Sequence, residues 1–290
     1  MPGGCYDLTN QCRAQAALYD PFNLGTNATV NALCIEATNY CFTYGGNGAY
    51  SQLSHRSVFD IAETPTAPYP PYYVAGYLNG LDVRAELGVP VGWNPNSQVV
   101  NNAFFDFTGD VFKYAGIDNI NLLLANDVNI ALVYGDRDER CSWLGGETIS
   151  LAANWSGTDA FKSAGYAEMH TNASYVGGLT RQYDGLSFTR VFQAGHNVGY
   201  FQPETLSEIF LRSSVYDTDV ATGKVDVESG CGYSTQGNSS AWSHYQTLSP
   251  ISTTICYTWA AAFTCSRQQL IALASGTAVV ENNVVVNPAN

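Results

Sequence analysis

Val128-Asn129-Ile130-Ala131-Leu132-Val133-Tyr134-Gly135-Asp136-Arg137-Asp138 is the stretch on which the fold turns. A short, mostly apolar run closed by Gly-Asp predicts a strand covered on both faces, as parallel sheets require. A second run, Phe188-Thr189-Arg190-Val191-Phe192, closes at Gln193-Ala194-Gly195-His196. Between the two, residues 142–154 read as a helix, and Gly177-Gly178 marks a hairpin turn in a polar stretch. Beyond them, Pro203-Glu204-Thr205-Leu206-Ser207-Glu208-Ile209-Phe210-Leu211 opens a helix, with Pro in its first turn and acids near the positive end of the macrodipole. Strand, loop and helix thus recur. That order predicts an open parallel α/β sheet whose function lies in loops at the carboxyl ends of the strands.

Working outward, residues 98–125 have helical apolar spacing, and residues 77–87 read as a short helix ending at Gly88, with Pro90 beyond. Pro65-Thr66-Ala67-Pro68-Tyr69-Pro70-Pro71 excludes helix and central strand and predicts an extended connector. Before it, residues 1–63 form a separate lobe in which Cys5 and Cys12, and likewise Cys34 and Cys41, are two helical turns apart. Two helices meeting antiparallel would join Cys5 to Cys41 and Cys12 to Cys34, because such positions share a face. Sequential pairing, Cys5 with Cys12 and Cys34 with Cys41, is the alternative. The division expected is 1–63, the lobe; 64–215, the core; and 216–290, a Ser/Thr/Gly-rich extension packed on the outside, with Cys231 and a local Cys256–Cys265 pair.

The chain has 290 residues, 46% of them hydrophobic and 13% charged, which is enough for a sizeable core. A formal charge of −13 repels polyanions, so nucleic acid is excluded as a partner. Sequons begin at Asn27, Asn154, Asn172 and Asn238, and with eight cysteines they point to the secretory pathway, hence to a secreted or vacuolar protein. No apolar run reaches the roughly 18 residues of a membrane span, and no membrane partner is expected. Met1-Pro2-Gly3-Gly4-Cys5 lacks the features of a signal peptide, so a signal is expected upstream, or Met1 is an internal position.

Two strand-end loops carry chemistry. Asp136 and Asp138 follow the first strand and His196 follows the second, which are the orienting acid and the base of a Ser-His-Asp hydrolase, in the chain order of α/β-hydrolases. Read from spacing alone, a loop histidine satisfied by its neighbours and turn-forming aspartates are the plainer account. His55, His170 and His244 have no partner pattern. His-Glu-x-x-His, paired metal-binding cysteines, a P-loop and a dinucleotide fingerprint are all missing, so neither metal nor cofactor is expected.

At these residues the chain resembles the serine carboxypeptidases of the α/β-hydrolase fold, particularly the fungal branch. The matching blocks are Val133-Tyr134-Gly135-Asp136-Arg137-Asp138 with Cys141 and Trp143-Leu144-Gly145, then Arg190-Val191-Phe192-Gln193-Ala194-Gly195-His196 with Gln202-Pro203-Glu204. Pro2-Gly3-Gly4-Cys5, Tyr77-Leu78-Asn79 and Leu87-Gly88-Val89-Pro90 match more weakly, and the nested cysteines look like those of the family's insertion domain. The resemblance implies the C-terminal half of an α/β-hydrolase sheet with a disulfide-linked helical insertion lobe, acting on peptides through an acyl-enzyme. It implies Asp138 as triad acid, His196 as general base, and Cys141 as the free cysteine lining the substrate pocket. Asn197 would face the side that receives the leaving residue, where other members carry Met or Glu. The family's Gly-Glu-Ser-Tyr-Gly elbow does not occur, nor does any Gly-x-Ser-x-Gly. The expectation is therefore a partner in the missing N-terminal half, and no turnover by this chain alone. The alternative is a non-catalytic secreted glycoprotein that keeps the fold as a binding or structural module.

Overall fold

The structure is a computed structural model describing residues 4–44, 46–64, 73–94, 96–114, 116–227, 230–244, 247 and 255–289. The proline-rich connector and the Pro2-Gly3 match lie outside those residues.

The chain begins with helices α1 (Cys5–Tyr19) and α2 (Ala28–Tyr44), joined by the disulfides Cys5–Cys41 and Cys12–Cys34. The nesting requires the helices to run antiparallel, and Cys12, Ala16, Val30, Cys34 and Ala37 form the apolar seam between them. Each bond closes a loop, with sequence separations of 36 and 22, that contributes about 3–4 kcal/mol in the chain-entropy account. After α3 (Gly46–Ser54), α4 (Tyr73–Leu78) and α5 (Leu81–Glu86) replace the single short helix expected over 77–87, breaking at Asn79-Gly80.

The helix expected over 98–125 is likewise divided into α6 (Gln98–Asn102), a π-turn (Ala103–Phe107), α7 (Asp110–Lys113) and α8 (Ile117–Ala125). Gly109 and Gly116 cause the breaks, with φ of 63° and 70° in the left-handed region. At Gly109 the chain lies so close to α2 that a Cβ would meet the backbone of Cys34 and Ile35. Lys113, buried, ties this region to the lobe through Asp20 at 3.2 Å and Asn31 at 2.8 Å, and pairs with Asp110 on its own helix at 3.1 Å.

The central sheet contains β1 (Ile130–Gly135), β2 (Ala167–His170), β3 (Val176–Tyr183) and β4 (Leu186–Val191), in the spatial order β1-β4-β3-β2. β1 and β4 are parallel, Ile130 facing Leu186 and Gly135 facing Val191, whereas β2, β3 and β4 form an antiparallel meander. The sheet is therefore mixed rather than wholly parallel. Of its two additional strands, β2 and β3, the longer β3 was hidden by polarity, because Thr180, Arg181 and Gln182 are buried yet satisfied. Thr180 Oγ1 and Thr189 Oγ1 share a 2.8 Å hydrogen bond, Arg181 donates to the Ala164 and Ser239 carbonyls, and Gln182 Oε1 accepts the Val220 N–H. Gly177 and Gly178 lie within β3 and not in a turn; at Gly178 a Cβ would collide with the Arg190 carbonyl. The turn is Asp184-Gly185, with Asp184 at φ 43°.

Alternate residues of β1 feed two cores. Ile130, Leu132 and Tyr134 pack with Phe188, Phe161 and Trp143 beneath α9 (Trp143–Ala152) and α10 (Thr158–Ser163). Ala131 and Val133 pack on the other face with Val191, Val198 and Ile209 from α11 (Val198–Phe201) and α12 (Pro203–Ser214). Among the described residues, no strand pairs with the outer edge of β1. The opposite edge is covered by residues of the C-terminal extension, through the Tyr166–Asn238 bridge and the His170 N–H to Ala221. The chain closes with α13 (Ala261–Thr264), α14 (Arg267–Ser275), the hairpin β5 (Val279–Glu281) and β6 (Val284–Asn287), and the disulfide Cys256–Cys265.

Replacing Cys12 and Cys34 together by Ala is expected to lower stability by about 2–5 kcal/mol, measured by urea unfolding. Thiol labelling of the native, unreduced chain followed by peptide mapping should mark Cys141 and Cys231, the two free cysteines. Label at Cys5, Cys12, Cys34 or Cys41 would contradict the nested pairing.

Candidate functional site

Because β1 and β4 run parallel, the loops at their carboxyl ends emerge side by side. Glycines allow the two loops to touch. At Gly135 a Cβ would run into the carbonyl oxygens of Ala194 and Gly195, and at Gly195 into that of Phe59. The Asp136 N–H donates to Val191 and the Arg137 N–H to Ala194, fixing one loop against the other.

On that frame Asp138 and His196 meet. Asp138 Oδ2 lies 2.8 Å from His196 Nδ1, and Oδ1 accepts the Cys141 N–H at 3.1 Å. Asp138 is 6% exposed, while a third of the imidazole surface (33%) is open. The His196 N–H donates to the Phe59 carbonyl at 2.8 Å, and the Phe59 ring sits 5.4 Å from the imidazole. A buried carboxylate on Nδ1 selects the tautomer with its proton there and leaves Nε2 as the basic nitrogen. Carboxylate oxygen, imidazole nitrogen and the Cys141 sulfur all fall within 4.8 Å of one another.

The neighbouring aspartate points elsewhere. Asp136 is buried beside Arg190, 3.9 Å from Nη2. Burial pushes its carboxyl up to about 6, against the pull of Arg190 and Arg137. Arg190 lies 4.4 Å above the Trp143 ring and donates to the Ala241 carbonyl at 2.7 Å and the His244 carbonyl at 3.2 Å. The extension thus reaches into the support of the site. Burial first, and the Asp138 charge after it, also raise the Cys141 thiol and the Glu139 carboxyl.

Sequence reading missed the segment 57–63. The Val58 carbonyl accepts from Glu139 and Arg140, the Ile61 N–H donates to the Arg137 carbonyl, and Asp60 pairs with Arg137 Nη2 at 3.0 Å. The only signal was the Phe59-Asp60 pair standing between a helix end and the proline-rich connector. Asn197, beside His196, is exposed and caps α11 by accepting the Tyr200 N–H. Of the sequon asparagines, Asn27 is half-buried and caps α2, whereas Asn154, Asn172 and Asn238 are exposed. His244 stacks on Phe192 at 4.3 Å, and His170 stands 3.6 Å from Glu168.

A family model described as serine carboxypeptidase matches residues 4–214. The chain is 42% identical to Carboxypeptidase S1 homolog A of Arthroderma benhamiae, covering 99% of this chain and 44% of that protein. It is 38% identical to Carboxypeptidase Y homolog of the same organism, with 99% and 45% covered. Against Carboxypeptidase Y of Candida albicans it is 32% identical, over 62% of this chain and 33% of that protein. The chain therefore spans less than half the length of these curated relatives.

The raised carboxyl of Asp136 has a pH signature. A folded value of about 6 against 3.8 means that the folded chain binds the extra proton between about pH 4 and 6. The group's stabilisation is therefore complete below about pH 4 and is lost as pH rises through about 6, by roughly 2–3 kcal/mol. Asp136→Asn should remove that dependence. Urea midpoints of the two proteins should draw closer, or reverse, from pH 4 to pH 7, and a gap that widens instead would contradict the assignment.

Proposed function

Because the chain belongs to the serine carboxypeptidase family, we propose that it carries the acid and base of a Ser-His-Asp triad that releases C-terminal residues from peptides through an acyl-enzyme. The 2.8 Å contact of Asp138 Oδ2 with His196 Nδ1, at the ends of neighbouring parallel strands, carries this reading. Asp138 holds the imidazole in one tautomer and balances the imidazolium as it forms. His196 Nε2 takes the proton of the nucleophile and returns it to the departing residue. Opening of the imidazole to the surface, while its partner acid stays buried, suits a base that must reach substrate.

The nucleophile lies outside these 290 residues in this reading, since no Gly-x-Ser-x-Gly occurs in them. The chain alone would then bind and orient without turning over. Cys141 would border the substrate, and Asn197 would face the departing residue. Residues 1–63 would form a separate lobe, 64–215 the catalytic core and 216–290 its outer support. The sequons at Asn27, Asn154, Asn172 and Asn238 would carry glycans on a secreted or vacuolar protein.

Joining the chain to an N-terminal half that supplies a Gly-x-Ser-x-Gly elbow should give release of the terminal residue from a blocked dipeptide, with none from the chain alone. In the joined enzyme His196→Ala should abolish release, and Asp138→Asn should lower kcat by about 10⁴ through the wrong tautomer. Asp136→Asn should keep most of the activity at temperatures where it stays folded. Release that survives Asp138→Asn but fails with Asp136→Asn would reverse the two roles, and robust release by the isolated chain would refute the placement of the nucleophile.

A further inference from the structure

The contact between Asp138 and His196 has a third member that the proposed acyl-transfer chemistry does not use. We propose that Asp138, Cys141 and His196 form a site for a thiophilic divalent cation of the zinc(II) type, and that the cation turns the imidazole to the tautomer unable to act as a base. Binding rests on geometry alone, and only the loss of activity rests on the function proposed above.

The geometry is near that of a three-ligand zinc site. One carboxylate oxygen, one imidazole nitrogen and one sulfur stand within 4.8 Å of one another. Tetrahedral zinc, at about 2.0 Å from N and O and about 2.3 Å from S, needs its ligand atoms roughly 3.3–3.8 Å apart. Closing the widest separation takes up to about 1.5 Å, and the 2.8 Å between Asp138 Oδ2 and His196 Nδ1 must open by about 0.5 Å to admit the ion. The donor set favours zinc and cobalt over magnesium or calcium, which take oxygen ligands.

Supporting contacts are already in place. The Cys141 N–H holds the other oxygen of Asp138, and the Phe59 carbonyl holds the main-chain N–H of His196, fixing the loop that carries the ring. Asp138 is buried, while Cys141 and His196 are exposed, so two of the three ligands can be reached from solvent. A net charge of −13 favours cation approach. Sequence motifs could not reveal the site, because two ligands share one loop and the third follows 58 residues after Asp138.

The ring nitrogen turned toward Asp138 is Nδ1, so a cation shared with that carboxylate takes the place of the Nδ1 proton. Metal–O, metal–N and metal–S bonds form, the S–H bond breaks with its proton going to solvent, and the ring proton moves from Nδ1 to Nε2 by exchange with water. Nε2 then carries a hydrogen and cannot accept one from a nucleophile. The cation has the effect of an Asp→Asn change at the triad acid, in reversible form.

The test uses the 290-residue chain itself. Titration with zinc by calorimetry should give one bound ion, and cobalt(II) should give the near-ultraviolet sulfur-to-metal charge-transfer band of a thiolate ligand. Cys141→Ser should abolish that band and weaken zinc by more than about tenfold, since even outer-shell partners cost that much. Cys231→Ser, at the other free thiol, should change neither. Nitrogen-15 shifts of the His196 ring should report Nδ1–H without metal and Nε2–H with zinc. Cobalt bound without the band, a band lost with Cys231→Ser, or an imidazole still protonated at Nδ1 under saturating zinc would each overturn the proposal. In the joined enzyme, absence of all activity would count against the function proposed above and leave these readouts of the chain intact.

Discussion

The parallel pairing of Ile130–Gly135 with Leu186–Val191 sets the distances on which the site depends. Its last pair, Gly135 opposite Val191, releases both loops at one level of the sheet. From there the absence of side chains at positions 135 and 195 lets one loop rest on the carbonyls of the other. Two aspartates two residues apart are thereby sent to different fates. Asp136 enters the protein against Arg190, and Asp138 reaches the imidazole.

That separation of roles links distant parts of the chain. Arg190 offsets the buried charge of Asp136 only because it is itself held, by the Trp143 ring and by the carbonyls of Ala241 and His244. The last two come from the C-terminal extension. On the opposite side, the segment after α3 binds both loops through Val58, Phe59, Asp60 and Ile61. The helical lobe therefore holds the two loops through backbone hydrogen bonds and the Asp60–Arg137 ion pair, while the extension holds Arg190 beside them.

The apolar run Ile130–Tyr134, the Gly-Asp and Gly-His loop signatures and the proline-initiated helix α12 were all legible in the sequence, because each follows from local periodicity or loop chemistry. The serine carboxypeptidase family was legible by resemblance, in two short blocks of sequence. What escaped depends on tertiary partners. β3 looks polar in one dimension, and only the cross-strand Thr189, the Ala164 carbonyl and the Val220 amide make Thr180, Arg181 and Gln182 suitable for burial. Gly177-Gly178 looked like a turn because glycine in sequence does not say whether it bends the chain or makes room for another part of it. The break at Gly109 arises where the chain presses on α2, a constraint that no helical period records. Cys141 could be named as free, but its place as a third ligand depended on two loops coming together.

The mixed sheet has a consequence in time as well as in space. β3 and β4 are joined by a two-residue turn, so their register can form from local encounters. β1 can join β4 only after the intervening helices and hairpins have been gathered in, a closure whose entropic cost must be met before its contacts stabilise anything. Asp138 and His196, 58 residues apart, belong to that late step. The hydrogen bond between them therefore reports the pairing of β1 with β4 and not the hairpin alone.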